Sequence, residues 1–294
     1  VLDWLQFVLA PQMINGMSIG VAVVLMALGL TIIFGLLDVI NMAHGEFYAI
    51  GAYLAVALLG LGLSFWWALV LTPLLMAVLG YVTERGLIQR VFHSKDPHTL
   101  TLLLTFGIGV VLEDALKIAF GANPLRVEAP ITGATEIVGL FFPNYLLFVM
   151  VFGAALIAGV WLLLFRTSVG AVVRAAAYDR HMSASLGVPV QRVYAATFAL
   201  GVALAGMAGV LLAPIYSVFP TMGRDFVLIA FSVVIIGGMG SIKGAVLAGL
   251  LLTQVQSLSS LYISPVWSDP LLFGIMVLVL MWRPQGLFGK LGSA

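Results

Sequence analysis

Residues 137–192 read IVGLFFPNYLLFVMVFGAALIAGVWLLLF and then RTSVGAVVRAAAYDRHMSASLGVPVQR. The first part, 137–165, carries no charge and is longer than the roughly 20 residues that cross bilayer hydrocarbon as a helix. The second part, 166–192, carries Arg166, Arg174, Arg180 and Arg192. A membrane helix followed by a polar excursion is the simplest reading. Inside the excursion one short element is spelled out. Asp179 can cap a helix start with its carboxylate. Residues from Arg180 to Leu186 give about two helical turns. Gly187 can take the left-handed stop position, and Pro189 blocks continuation. Helix nucleation is costly, so two turns cannot stand alone in water. The element must pack on its own bundle or on another protein, and we favour another protein.

The rest of the chain extends this pattern. Of 294 residues, 62% are hydrophobic and 9% charged, against about a quarter charged in soluble domains. Mean hydropathy is +1.17. Uncharged runs cover 5–37, 47–83, 99–112, 137–165, 193–223, 226–242, 244–268 and 270–282. Runs of this length are helical spans rather than barrel strands. The run 47–83 is long enough for two spans, split near 60–64. Pro11 is expected to separate an interfacial piece from a span at 13–37. These runs predict an all-α polytopic membrane protein of eight or nine spans. Residues 1–294 form one transmembrane domain, with broken or re-entrant segments near 38–46 and 237–244. No basic n-region or cleavage site precedes the first run, so it reads as a span rather than a signal peptide. Cysteine is absent, which excludes disulfides and thiolate chemistry.

Charge placement orients the chain. Loops 84–98 and 166–192, Lys243 and the tail with Arg283 and Lys290 hold most of the Lys and Arg. Lys117, Arg126 and Arg224 fall on the other side, among Asp3, Glu113, Asp114, Glu128, Glu136, Asp225 and Asp269. The positive-inside rule then puts the C-terminus in the cytoplasm. Segment 121–144 is external and folds over the bundle mouth.

Several motifs invite a chemical reading. Asp38-Val-Ile-Asn41-Met-Ala-His44-Gly-Glu46 sits between two apolar segments. Polar groups inside a membrane are expensive and functional by default. On a helix, Asn41, His44, Gly45, Tyr48 and Ala52 would share one face, with Glu46 pointing elsewhere. A pathway-lining role and a helix break satisfied by backbone both stand open, and a proton relay through His44 and Glu46 is a third reading. Thr101 and Thr105, four apart, can line a path, although back-bonding to the helix is commoner. Glu113-Asp114-x-x-Lys117 reads as a solvated helix end with an intrahelical pair. His93 and His98 read as solvated loop residues. Gly16-x3-Gly20 and Gly240-x3-Gly244 fit small-residue packing within one bundle. The cluster 237–244 suggests a broken helix or tight turn. It is not a phosphate-binding loop, since no GxxxxGK[ST] spacing occurs. No hydrolase triad or HExxH zinc motif is present, so the chain reads as a non-enzyme without metal or cofactor of its own. Nothing points to nucleic acid.

Two stretches resemble a known family. Gly29-Leu-Thr-Ile-Ile-Phe-Gly35 with Ile40-Asn-Met-Ala-His-Gly-Glu46 is similar to the N-terminal signature of branched-chain amino acid ABC-transporter permeases. Arg174-Ala-Ala-Ala-Tyr-Asp-Arg-His-Met-Ser-Ala-Ser-Leu-Gly187 resembles that family's cytoplasmic loop. Phe198 to Leu212 and Arg283-Pro-Gln-Gly-Leu-Phe288 follow in the right order. The likeness covers about Gly16 to Lys290 and suits the first of the two permeases such systems encode. It implies a bacterial inner-membrane importer with a second permease, similar or identical. It also implies two ATPases that carry ATP and Mg, and an extracytoplasmic binding protein. The substrate it implies is a branched-chain or other hydrophobic amino acid, although relatives import urea, short amides or aromatic acids. The pathway residues expected on this likeness are Asn41, His44, Glu46, Tyr48, Thr101 and Thr105. The coupling residues are Arg174, Asp179, Arg180, His181, Ser185 and Gly187. The family loop's acidic residue is missing around Ser183 to Gly187, so docking should rest on shape, helix ends, and Arg180 or His181.

Overall fold

The computed structural model describes residues 4–92, 94–137, 139–264 and 267–289. Asp3, His93, Lys290 and the side chain of Asp269 lie outside what is described. A π-helical turn, Leu5–Leu9, leads into α1, Ala10–Leu37. Pro11 therefore does not divide the first run. It sits in the first turn of α1, where a proline removes no obligatory backbone bond. The chain continues as α2, His44–Gly60, and α3, Phe65–Thr83, which runs on through a π turn, Glu84–Ile88, to Val91. Next come α4, Pro97–Phe120, and the strands β1, Ala134–Ile137, and β2, Leu140–Pro143. The helices α5, Asn144–Arg166, α6, Ser168–Tyr178, and α7, Arg180–Ser185, follow. The last four are α8, Val190–Leu212, α9, Met222–Gly237, α10, Ile242–Ser259, and α11, Ser268–Trp282.

The molecule is mostly helical, with one departure. Strands β1 and β2 pair as an antiparallel hairpin, Ala134 opposite Pro143. The expectation of a purely helical chain missed it because four-residue strands carry little pattern. The hairpin segment is tied to the bundle where Leu125 and Val218 exchange backbone hydrogen bonds of 2.8 Å. Among the described residues five helices, at Phe7–Leu37, Phe65–Val91, Pro97–Phe120, Asn144–Arg166 and Val190–Leu212, are long and apolar enough to cross a membrane.

Helices α1 and α8 form the centre. Ala22, Val24, Leu25, Ala27, Leu28, Leu30 and Ile33 of α1 are fully buried, as are Phe198, Val202, Ala205, Ala208 and Val210 of α8. Helix α3 packs on α8, α5 packs on α1, and α4 packs on α2; all three leave apolar outer faces exposed, such as Leu74, Val78, Leu103, Phe106 and Val151. Water would not tolerate such faces, whereas lipid or a partner helix does.

Glycines set the close approaches. A Cβ on Gly29 would strike the Gly201 carbonyl across α1 and α8. A Cβ on Gly209 would strike Tyr48 and Ala52 of α2, and one on Gly51 would strike Gly206. Gly16 and Gly20 pack on Ser257 and Thr253 of α10, so that pair does serve packing within the bundle. Gly240 is different. It lies in the turn between α9 and α10 with φ 77°, not on a helical stripe. Residues 237–244 are thus a tight helix-to-helix turn rather than a re-entrant segment. Its backbone is closed by the tail: Leu287 N–H donates to Ile236 O at 2.8 Å and Phe288 N–H to Gly237 O at 3.0 Å.

The charged loops gather at one end. Asp38, the α4 start, α6, α7, the 238–241 turn and the tail lie there, opposite the hairpin. The carboxylate of Asp96 accepts from Thr99 N–H at 3.2 Å and caps α4. The Thr99 hydrogen bonds hold that carboxyl below its usual range. His98 is not a loop residue. It sits in the first turn of α4, and its Nδ1–H donates to Asp38 O at 3.1 Å.

Gly209→Val should lower the thermal midpoint of the detergent-solubilised chain by several degrees, since overpacking a tight core costs about 1–3 kcal/mol or more. Gly60→Ala, where an added Cβ meets nothing, should leave the midpoint within a degree or so.

Candidate functional sites

The first site is built on the break between α1 and α2. Helix α1 stops at Asp38, whose φ of 52° is the only positive value for a non-glycine among the described residues. Asp can enter this left-handed region as a single residue, and its N–H returns to Phe34 O at 2.8 Å. The segment 38–43 is not helical. Asn41 therefore lies in the break and does not share a helix face with His44. Its Oδ1 accepts from Ala43 N–H at 3.1 Å. Thr105 of α4 closes the break from the side: its hydroxyl donates to Ile40 O at 3.3 Å and accepts from Met42 N–H at 3.2 Å. Thr101 bonds its own helix at Pro97 O, 2.6 Å. Both threonines are buried, so the structure gives them a packing place and no open face.

His44 opens α2. Its Nε2–H donates to Met26 O at 3.0 Å. Met26 lies about 17 Å along α1 from Leu37, so α2 begins deep inside the bundle. Tyr48 is fully buried and packs on Phe226 of α9, the rings tilted by 37° with centroids 4.5 Å apart. Glu46 faces another way. Its carboxylate lies against Gly223, where an added Cβ would come within 2.6 Å of Cδ. His44 and Glu46 thus address different helices, which removes the direct contact a proton relay between them would use.

Beside Glu46 sits an ion-pair cluster that sequence spacing misjudged. Glu113 is not at a solvated helix end; its side chain is 2% exposed. Lys117 Nζ lies 2.6 Å from Glu113 Oε1, and Arg224 Nε lies 2.6 Å from Glu113 Oε2. The intrahelical pair of Lys117 with Asp114 is also present, at 3.2 Å. Helix α4 is thereby pinned to the start of α9. Glycine makes this possible: Gly45 of α2 meets the Gly223 carbonyl so closely that neither position admits a Cβ without displacement. The sequence signal was the Gly223-Arg224-Asp225 triplet at an apolar boundary, but its partner is far away in the chain.

The second site is the α6–α7 elbow at the charged end. Asp179 Oδ1 accepts from His181 N–H and Met182 N–H, both at 2.9 Å, as a helix N-cap does. Gly187 takes φ 86° and Val188 N–H returns to Ser183 O at 3.0 Å, which is a Schellman-type stop. Ser185 bonds back to His181 O at 3.0 Å, and Arg180 Nε reaches His181 Nε2 at 3.3 Å. Arg174 turns back to the bundle, 5.4 Å over the Phe165 ring. The elbow also exposes large apolar side chains among its polar ones: Tyr178 at the end of α6 is 91% exposed, Met182 of α7 60%, and Leu186 just past α7 78%. Those three residues were missed in the sequence because polar neighbours dominated the reading.

Taken together, broken helices around a buried polar cluster, set in an apolar bundle, define a multi-pass membrane protein of the transporter class. Residues 12–280 match the family model described as branched-chain amino acid transport system / permease component, and the chain belongs to that family. It is 32% identical to the high-affinity branched-chain amino acid transport system permease protein LivH of Salmonella typhimurium, over 95% of each chain. It is 30% identical to BraD of Pseudomonas aeruginosa, again over 95% of each. The longer LivM of Salmonella typhimurium is 29% identical, covering 94% of this chain and 71% of that one. In fold it is similar to a chain of PsaBC from Streptococcus pneumoniae in complex with Fab, with TM-score 0.51 and 17% identity, over 97% and 95% of the two chains.

Glu113→Gln should cost about 3 kcal/mol in thermal unfolding, as removing one partner of a buried pair does. Asp179→Ala should cost about 1 kcal/mol through the lost cap, read as greater proteolytic nicking near residue 180.

Proposed function

We propose that this chain is the membrane-spanning permease subunit of an ABC importer for branched-chain or other hydrophobic amino acids. An extracytoplasmic binding protein delivers the solute. Partner ATPases, which carry ATP and Mg, supply the energy. A second permease, similar or identical, completes the path. The nine helices α1 to α5 and α8 to α11 serve as the spans of a single permease domain covering 1–294. The protein sits in the bacterial inner membrane with the charged end, including the C-terminus, in the cytoplasm.

One observation carries this reading: a short helix, capped at Asp179 and stopped at Gly187, holds Tyr178, Met182 and Leu186 outward from the basic end. Exposed large apolar residues clustered in this way suit a protein partner. Arg180, His181 and Ser185 frame them, and Arg174 braces α6 from behind. The family membership supports an importer, and the names of the relatives support the amino-acid class. The reading as a stand-alone proton-coupled transporter loses its motive, because His44 and Glu46 face different helices. Urea, short amides and aromatic acids are decided by a substrate panel.

The triple variant Tyr178→Ser, Met182→Ser, Leu186→Ser should fold with an unchanged thermal midpoint. It should lose at least tenfold in co-purification with its ATPases and in ATP-driven leucine uptake by the reconstituted assembly. Full ATPase retention by that variant would overturn the docking role.

A further inference from the structure

The chain turns sharply where α5 ends and α6 begins. Gly170 lies so close to the Leu163 and Leu164 carbonyls that a Cβ there would strike both. This turn folds α6 back and sets the Arg174 guanidinium 5.4 Å from the Phe165 ring centroid. Arg166, at the end of α5, stands 5.9 Å over the Trp161 ring. The two rings are neighbours, with centroids 5.8 Å apart. Two arginines that are apart in sequence thus share one aromatic corner, at the basic end of a helix long and apolar enough to cross a membrane.

Both guanidiniums keep their hydrogen-bonding edges. An aromatic ring takes only the flat face of an arginine. Among the described residues neither Arg166 nor Arg174 forms a hydrogen bond or an ion pair. Arg85 is the contrast: it also stands over a ring, Tyr81, but its Nη1–H donates to Gln89 Oε1 at 3.2 Å. No acidic residue occurs from 137 to 178. The surface around the pair is open and apolar, with Trp161, Leu162, Phe165, Val169 and Val172 all exposed. Tryptophan and long basic side chains settle where hydrocarbon gives way to lipid head groups.

We infer that this corner binds an anionic phospholipid of the adjacent leaflet. The phosphate oxygens accept from the edges of Arg166 and Arg174, whose planar forks match phosphate geometry. The acyl chains run along the apolar face of α5, past the exposed Leu162 toward Val151. Charge complementarity names the occupant. Two cations with no acidic neighbour in their stretch of chain attract a head group of net negative charge. A zwitterionic head group carries its own ammonium, which competes for the same phosphate. The bound lipid ties α6 to α5 and steadies the root of the elbow that carries Tyr178. The inference rests on the membrane placement of α5 and, for the leaflet, on the proposed orientation.

The absence of cysteine supplies a clean probe. Leu162→Cys carries a single bimane fluorophore, and Val151→Cys, exposed nearer the other end of the same helix, serves as the reference. The complete assembly, with its second permease and ATPases, is placed in nanodiscs of phosphatidylglycerol and phosphatidylcholine in equal amounts. One of the two lipids at a time is brominated on its acyl chains, which quench on contact. Brominated phosphatidylglycerol should quench residue 162 at least fourfold more strongly than brominated phosphatidylcholine, and residue 151 less than twofold more strongly. Arg166→Gln with Arg174→Gln should bring the ratio at 162 down to that at 151, and inorganic phosphate in the buffer should leave it unchanged. Equal quenching by both lipids at 162, the same preference at 151, or a preference that survives the double variant would each overturn the site. Loss of the preference in inorganic phosphate would overturn it in favour of a free anion, and no quenching by either lipid would overturn it in favour of a protein against this face. Should the double variant not assemble, the comparison of 162 with 151 on the otherwise unchanged chain still decides it. Leucine uptake is read on the same assemblies: uptake without a lipid preference overturns the corner alone, whereas a preference without uptake upholds the corner and overturns the importer reading.

Discussion

A peptide group inside a bilayer has no water to bond, so any interruption of a helix must be satisfied by the protein itself. The break at 38–43 is where this constraint bears hardest. Thr105 supplies one donor and one acceptor to it, Asn41 folds its own amide onto Ala43, and Asp38 returns its N–H to α1. Asp38 and Asn41 act from within the break, and Thr105 reaches it from α4. Helix α4 stays against the break because Thr105 bonds it, and α2 can start deep in the bundle because the break is closed. The polar cluster around Glu46 exists only as a result.

The glycine seams act at the next level. Between lipid-exposed helices there is little hydrophobic gain from association, and close packing takes its place. The contacts of Gly29 with Gly201, Gly51 with Gly206, and Gly45 with Gly223 bring backbones to distances no other residue permits. They explain why α1 and α8 are buried so completely while α3, α4 and α5 remain half-covered. They also bring two helix starts together, which side chains of ordinary size would hold apart.

Much of this was legible in the chain, for physical reasons. Uncharged length marks apolar helices, five of which among the described residues are long and apolar enough to cross a membrane, so the helical bundle follows from composition. The α7 helix was fully readable, because Asp179, Gly187 and Pro189 act within a few residues of one another. The break near 38–46 was readable from cost alone, since polar residues seldom sit in such a run without cause. Pairings distant in sequence were hidden. Glu113 looked solvated because its partner Arg224 is far along the chain, and the bonds of Thr105 to Ile40 and Met42 were hidden by the same distance in sequence. Pro11 misled through position: a proline breaks a helix interior but not its first turn. The hairpin at 134–143 and the outward Tyr178, Met182 and Leu186 depend on how the surface is arranged, which local pattern does not encode.

Leu287 and Phe288 donate to the last carbonyls of α9, and Gly286 packs on Gly238 with no space for a side chain. At its other end α9 is fastened through Arg224 to α4. A rod tied at both ends cannot slide along its axis without breaking a tie. Sliding by one turn, about 5.4 Å, would cost both tail bonds, and a swing about the tail would cost the Arg224–Glu113 tie and the Gly45–Gly223 seam instead. Helix α9 is therefore a strut braced at both ends, so movement at one end of the bundle is passed along it to the other.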